Sequence, residues 1–419
     1  MSFTQGGTAK VGSLITTLLQ RGYRGPLQWW RDATIYDMAI TELPDPGLES
    51  TYASIMQAAR LGFQAVRFRP SHIDPCVEED AALVKRVIDR AHQVGLRAIV
   101  QVSGANRPAP ASPEQGPIPT PIRRKEVDGL PLVDRAAAFL ELGADGIDLG
   151  LIVEPELTGA EGEAGLLTEV VHKLESLVSL QGEETTVGAT ASAQFPDSYV
   201  RHLNEDWMHH LRDDRLQLSP WTAAGLRDAI TTTAAERTKL GHTNAWLPNV
   251  RFALGAFAPL QLSAWFNEPE HIARRAQAIN LLALMLPGAV YIQQGDEVAY
   301  THFEELATAQ DTLDAIAALL VEQRRQASSP YTVMRTALRV RAERRLGTGP
   351  LAVVEGASWQ TERCLALQNR DVMAVTNLGM EPLEVPHAWQ VLVSSVPCEE
   401  TAGSVVIPPQ ATTWLRICN

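Results

Sequence analysis

The stretch ALMLPGAVYIQQGDE, residues 283–297, decides the fold. Its first part closes the apolar run AQAINLLALMLPG (276–288), whose helical period stops at Pro287 and Gly288, residues that end helices. Its second part, GAVYIQQ (288–294), is a short apolar strand rich in β-formers. A helix that feeds directly into a strand is part of a repeating unit, and that unit recurs upstream. Strand-like runs are ATIYDMAI (33–40), FQAVRFRP (63–70), LRAIVQVS (96–103), DGIDLGLI (145–152) and ETTVGATA (184–191). Between them lie the helix-like segments STYASIMQAARLG (50–62), EEDAALVKRVIDRAHQVG (78–95) and LVDRAAAFLELG (132–143). This β-then-α alternation predicts a parallel sheet covered by helices, and its extent suits a closed (β/α)8 TIM barrel better than an open sheet.

From about residue 348 the pattern changes to short period-2 runs, among them PLAVVEG, CLALQN, DVMAVTNLG and TTWLRICN. These predict a small C-terminal antiparallel β domain. The expected division is therefore a barrel over 1–347 and a β domain over 348–419. One Pro-rich segment, GANRPAPASPEQGPIPTPIR (104–123), interrupts the pattern after the third strand. Its place predicts a loop over the ligand-facing rim, either a plain surface connector or a lid or partner-docking loop.

The net charge of −13 across 419 residues argues against nucleic acid and anionic membrane as partners, because such binding relies on clustered Lys and Arg. Cys76, Cys364, Cys398 and Cys418 are scattered without metal-site spacing, which predicts reduced thiols and no metal. VGSLITTLLQ (11–20) is too short to span a bilayer and lacks the layout of a signal peptide, so a cytoplasmic location is expected. The segment HLNEDWMHHLRDD (202–214) gathers His202, His209 and His210 with Trp207. Neighbouring histidines on a helix diverge by about 100°, so a polar helix surface is expected there rather than a metal site.

Two segments carry a resemblance. WWRDATIY (29–36) and ALMLPGAVYIQQGDE (283–297) are similar to the first and last barrel strands of bacterial α-glucosidases of glycoside hydrolase family 13, the α-amylase superfamily. GLRAIVQVSGAN (95–106), GADGIDLG (143–150), TTVGATA (185–191) and NAWLPNVR (244–251) resemble its third, fourth, fifth and seventh strands. The resemblance implies a retaining α-glucosidase scaffold. In that family an Asp after the fourth strand is the nucleophile, a Glu after the fifth is the acid/base, and an Asp after the seventh stabilises the transition state. On the same alignment those positions hold Gly150, Ala189 and Arg251. Gly and Ala have no ionisable group, so no catalytic residue is expected at the family's positions.

The other rim positions form a remnant pocket of Arg67, Arg69, Gln101, Asn106, Asp148, Asn249 and Arg251. Asp148 stands where the family has Arg. A buried unpaired charge is costly, so Asp148 is expected to pair with Arg251 or Arg69; solvated groups and an anion pocket on the arginines are the alternatives. Asp148, Glu154 and Glu156 could in principle be relocated acids, although Glu154 and Glu156 flank Pro155 in a pattern typical of a solvated loop. Asp145, Asp296 and Glu297 read as structural.

The function expected is that of a catalytically inactive α-glucosidase-like protein, a pseudo-glycosidase. It would act as an interaction, regulatory or scaffold unit in carbohydrate metabolism. A protein partner or self-association is expected, with an active related glycosidase among the candidates, and no cofactor. A glycosidase or transglycosylase with relocated residues and a sugar-binding module without turnover are the competing readings.

Overall fold

The computed structural model describes residues 15–38, 41, 43, 47–70, 73–102, 132–152, 164–193, 196–204, 208–248, 269–300, 309–386, 389–401 and 403–417. Strand β1 (Ile15–Gln20) is followed by the barrel strands β2 (Thr34–Met38), β3 (Ala65–Phe68), β4 (Arg97–Gln101) and β5 (Gly146–Ile152), then β6 (Thr186–Ala191), β7 (His210–Arg212), β8 (Ala245–Trp246) and β9 (Ala289–Gln293). These eight strands run parallel in the order β7-β6-β5-β4-β3-β2-β9-β8. The sheet curls into the expected (β/α)8 barrel with helices outside it.

Strand faces follow the period of two. Outward residues such as Tyr36, Val66, Val100, Ile147 and Val187 belong to the main apolar cluster, together with residues of the surrounding helices. Inward residues towards the N-terminal end form a separate plug of Ala33, Ile35, Ala65, Ile99, Ala245, Leu247, Ala289 and Tyr291. Trp29 and Trp30 pin that end, their indole N–H groups donating to the Glu184 and Glu183 carbonyls at 2.7 and 3.1 Å. The helices start and stop on ordinary chemistry. Thr222 caps helix Ala223–Leu240 by accepting from the Gly225 N–H at 3.0 Å, and Gly241 ends it with a φ of 79°.

Strands β10 (Leu351–Glu355), β11 (Cys364–Asn369), β12 (Val372–Asn377), β13 (Leu383–Pro386), β14 (Trp389–Ser394), β15 (Glu399–Glu400), β16 (Ser404–Ile407) and β17 (Ala411–Ile417) build the C-terminal β domain. A six-stranded sheet, β1-β10-β11-β12-β17-β14, accompanies a three-stranded one, β13-β16-β15. The domain meets the barrel on helix Pro269–Met285: Trp414 Nε1 donates to the Leu281 carbonyl at 3.2 Å, and Asn369 Nδ2 to the Met285 carbonyl at 2.9 Å.

Two sequence expectations need correction here. A domain boundary at 347/348 assigns Ile15–Gln20 to the barrel, yet β1 pairs antiparallel with β10 at the edge of the C-terminal sheet. Its uncharged, β-prone sequence pairs readily with a strand distant in sequence, a choice that local periodicity does not encode. The histidine segment is not one polar helix. His202 lies in the last turn of the short helix Pro196–Asn204, while His210–Arg212 is the sixth barrel strand, fully buried. Among the described residues no helix is long and apolar enough to cross a membrane, and Cys76, Cys364 and Cys398 are unbridged.

Candidate functional site

Towards the C-terminal end of the barrel, where enzymes of this architecture place their chemistry, the inward positions change from apolar to charged. Asp37 on β2 sits beside Arg67 on β3 in register, as Asp148 on β5 sits beside Gln101 on β4. The Arg67 guanidinium grips Asp37 with two bonds, Nε to Oδ1 at 2.9 Å and Nη2 to Oδ2 at 2.6 Å. Its remaining Nη1 donates to Asp148 Oδ1 at 2.9 Å. From the other side Arg212, on β7, grips Asp148 through Nη1 to Oδ2 at 2.6 Å and Nη2 to Oδ1 at 2.9 Å. Arg212 Nε donates to Thr190 Oγ1 at 2.9 Å. Two carboxylates and two guanidiniums thus form one neutral chain across the barrel, with Asp148 and Arg212 both 0% exposed.

The geometry is of the strong kind, because bidentate forks satisfy lone pairs as well as charge. Tyr291 lies beneath it: the Arg212 guanidinium sits 4.3 Å from the ring centre. His210 joins the chain to the barrel's far end, with Nε2 2.7 Å from the Trp30 carbonyl and Nδ1 2.7 Å from the Tyr291 hydroxyl. A carbonyl only accepts, so Nε2 carries the proton and the Tyr291 hydroxyl donates to Nδ1.

Burial alone would raise the Asp148 pKa, but Arg212 and Arg67, with the Gly150 N–H, hold it well below the usual carboxylate range. Arg67 is the mirror case. Burial alone would lower it, and the Asp148 and Asp37 carboxylates push it above its ordinary value. Burial, helped by the nearby Arg212 and His209, pushes His210 down to about 3, so it is neutral at ordinary pH. Burial pushes Tyr291 up to about 12 against the pull of Arg212.

Of the expected pocket residues, the structure brings together Arg67, Gln101 and Asp148, all buried. Asn106, Glu154, Glu156, Asn249 and Arg251 lie outside the described residues, as do Trp207 and the Pro-rich loop. Asp148 is paired as expected, but the guanidiniums on it are those of Arg67 and Arg212. Arg69, two residues beyond Arg67, is only half-buried. Arg212 was hidden because its strand has three residues, too few for a period to be read. The signal available was the alternation His210-Leu211-Arg212, polar residues flanking an apolar one.

Ala189 also needs a correction. On β6 the inward positions are Gly188, where a Cβ would lie 2.9 Å from Asp148 Oδ2, and Thr190, which bonds Arg212. Ala189 therefore faces outward into the main apolar cluster. A side chain serving the barrel mouth from this strand would stand at 188 or 190, and neither carries an ionisable group. Gly150 lies within β5 with a φ of 66°, where the pairing with β6 slips between Asp148 and Leu151. It donates its N–H to Asp148 Oδ1 at 2.8 Å. Asp145 accepts from His92, Arg97 and the Ala98 N–H, tying β4 and its helix to β5. Glu297 accepts from the Tyr36 hydroxyl and the Gly295 N–H. Both acids hold the scaffold together.

One further acid stands at this rim. Asp214, just after β7, accepts from Ser192 Oγ at 2.5 Å and the Ala193 N–H at 2.8 Å, clipping the end of β6 to that of β7. Burial, aided by the Asp213 charge, pushes its carboxyl up to about 6. The folded state therefore holds this proton more tightly than the unfolded chain. The resulting stabilisation is complete below the ordinary value of 3.8 and is lost as pH rises through about 6. Between those limits wild type loses about 3 kcal/mol relative to Asp214→Asn, measured as the difference in urea unfolding free energy at successive pH values. A difference independent of pH would refute this assignment.

No group of His, Cys, Asp and Glu suited to a metal ion occurs among the described residues. The parallel eight-stranded barrel with its C-terminal antiparallel domain is similar to several solved structures. An α-glucosyl transfer enzyme, XgtA, matches with a TM-score of 0.64 at 15% identity, covering 94% of this chain and all of the other (100%). The trehalose-6-phosphate hydrolase TreA of Bacillus licheniformis matches with a TM-score of 0.63 at 12% identity, again over 94% and 100%. The α-amylase from H. orenii matches at 0.60 and 13%, over 92% and 99%. The chain shares the fold of these structures, a (β/α)8 barrel followed by a C-terminal antiparallel β domain. No family model and no curated protein matches its sequence.

Proposed function

We propose that this chain is a catalytically inactive protein of α-amylase fold, a pseudo-glycosidase that serves as an interaction, regulatory or scaffold unit in carbohydrate metabolism. The observation that carries this reading is the buried chain Asp37–Arg67–Asp148–Arg212 across the barrel. Retaining glycosidases need two carboxyl groups about 5–5.5 Å apart, one ionised and facing the sugar, the other protonated near neutral pH. Asp148 meets neither need. Two guanidiniums neutralise it and hold its proton affinity low, so it is a weak nucleophile and no acid at neutral pH. Gly150 and Thr190, its neighbours on the mouth side, offer no substitute.

The function then resides on the outer surface, towards a protein partner or a second copy, and an active glycosidase of the same fold is a natural candidate partner. The neighbouring structures are enzymes of glucosyl transfer and hydrolysis, so the setting proposed is α-glucoside metabolism. The test is turnover of nitrophenyl α-glucoside and maltose by the purified protein. The expected result is no release above the uncatalysed rate from pH 5 to 8. Turnover at ordinary glucosidase rates, abolished by Asp148→Asn, would overturn the proposal.

A further inference from the structure

Strand β1 closes one end of the six-stranded C-terminal sheet: it pairs with β10 on one side and with no described strand on the other. Ile15, Thr16, Thr17 and Leu18 are all exposed. Helix Ala223–Leu240 packs on both β1 and β11, so it covers a face of the sheet and not this outer edge. A bare edge is a template for another chain, and edge strands are usually guarded by a charge or a Pro. Strand β13 carries Glu384 and Pro386, and β15 is Glu399–Glu400, whereas β1 reads ITTLLQ and has neither guard. Ile15 and Leu18 are instead 59% and 56% exposed, one on each face of the strand. The Tyr23 N–H donates to the Thr348 carbonyl at 3.0 Å, which carries the same edge on to Tyr23, another exposed apolar side chain. Two features thus coincide here, an unpaired backbone edge and apolar side chains left in water on both of its faces.

We infer that β1 is a self-association surface, along which a second copy of this chain adds its own β1 antiparallel across a twofold axis. Charge selects the second copy as occupant. The chain carries −13, so two copies repel over most of their surface and approach at least cost where a strand has no charge. Antiparallel pairing about a twofold sets residues of the same face opposite one another, so the axis passes through a residue of the strand. With Thr17 on the axis, Thr16 faces Leu18 of the second copy and Thr17 faces itself, pairs of β-formers with no like charges opposed. The contact is isologous and closes at two copies. The register slip between Leu18 and Gln20 limits the regular ladder to Ile15–Leu18, so the dimer is a weak, reversible one. This surface deepens the self-association proposed above and rests on that part of it. Loss of turnover concerns the barrel mouth alone, so either can fail without the other.

The experiment is sedimentation velocity of the full chain from about 1 to 100 µM. A reversible monomer–dimer equilibrium is expected, with a dissociation constant on the order of 10 µM. Leu18→Lys brings like charges together near the axis and weakens the dimer roughly tenfold or more. Leu180→Lys makes the same change on helix Ala164–Gln181, at a side chain 85% exposed, and leaves the equilibrium unchanged. Both leucines are exposed, so both variants keep the wild-type urea midpoint. The inference is overturned by a monomer throughout the range, by equal affinity in Leu18→Lys, by equal weakening in Leu180→Lys, or by growth beyond the dimer.

Discussion

Asp148→Asn lowers folding stability by about 3–5 kcal/mol, the usual penalty for removing one partner of a buried ion pair. The size follows from what remains. Arg212 is wholly buried and Arg67 nearly so, and an amide offers them one oxygen and no charge where a carboxylate gave two oxygens. Asp148→Leu combined with Arg212→Met removes one charge of each sign and leaves the bidentate Asp37–Arg67 pair intact, so it recovers at least half of the loss. Both are read as urea midpoints at unchanged m-value. The pH dependence has a definite sign. The folded-state pKa of Asp148 lies below its ordinary 3.8, so its contribution is complete above that value and is lost as pH falls below it. The gap between wild type and Asp148→Asn is therefore flat near neutrality and narrows in acid. A loss under about 1 kcal/mol would mean that the chain of charges is a passive filling of the barrel.

The barrel was legible because its strands are buried on both faces, which leaves apolar runs such as AIV (98–100) and AVYI (289–292) between helical periods. The strands that escaped are those too short to show a period, His210–Arg212 and Ala245–Trp246, the second placed only through its resemblance. The same division runs through the site. Asp148 stood out as a charge in a buried strand, and Arg67 and Arg69 as arginines on one face. That Arg212 completes the set depends on closing a barrel across 64 residues of chain, which no local pattern encodes. His210 read as polar surface for the same reason. The one-residue error at Ala189 came from matching letters rather than faces: on a strand, a shift of one moves a side chain from the mouth to the helix layer.

Restoring side chains at the two glycines of the barrel mouth destabilises the protein and yields no turnover. Gly150→Asp puts back the residue type that the resemblance associates with the nucleophile, yet Gly150 has a left-handed φ of 66°, and its amide supports the carboxylate of Asp148. An L-residue in that conformation costs about 1–2 kcal/mol, with Asp among the more tolerant types. A second carboxylate beside Asp148 in a dry barrel adds repulsion, for a total loss of about 2–3 kcal/mol. Gly188→Ala places a methyl group 2.9 Å from Asp148 Oδ2 and 3.1 Å from Arg212 Nη1. Neither atom can yield without lengthening a bidentate bond, so the expected loss is about 1–3 kcal/mol. Urea midpoints and the nitrophenyl α-glucoside assay measure both effects on the same samples. Turnover by Gly150→Asp would mean that the mouth is poised for chemistry and lacks only one side chain. Its absence, with the stability loss, is expected because Asp148, Arg212 and the two glycines fit one another: the glycines leave the space and the amide that the ion-pair chain uses. A working glycosidase site would require that chain to be replaced together with the glycines.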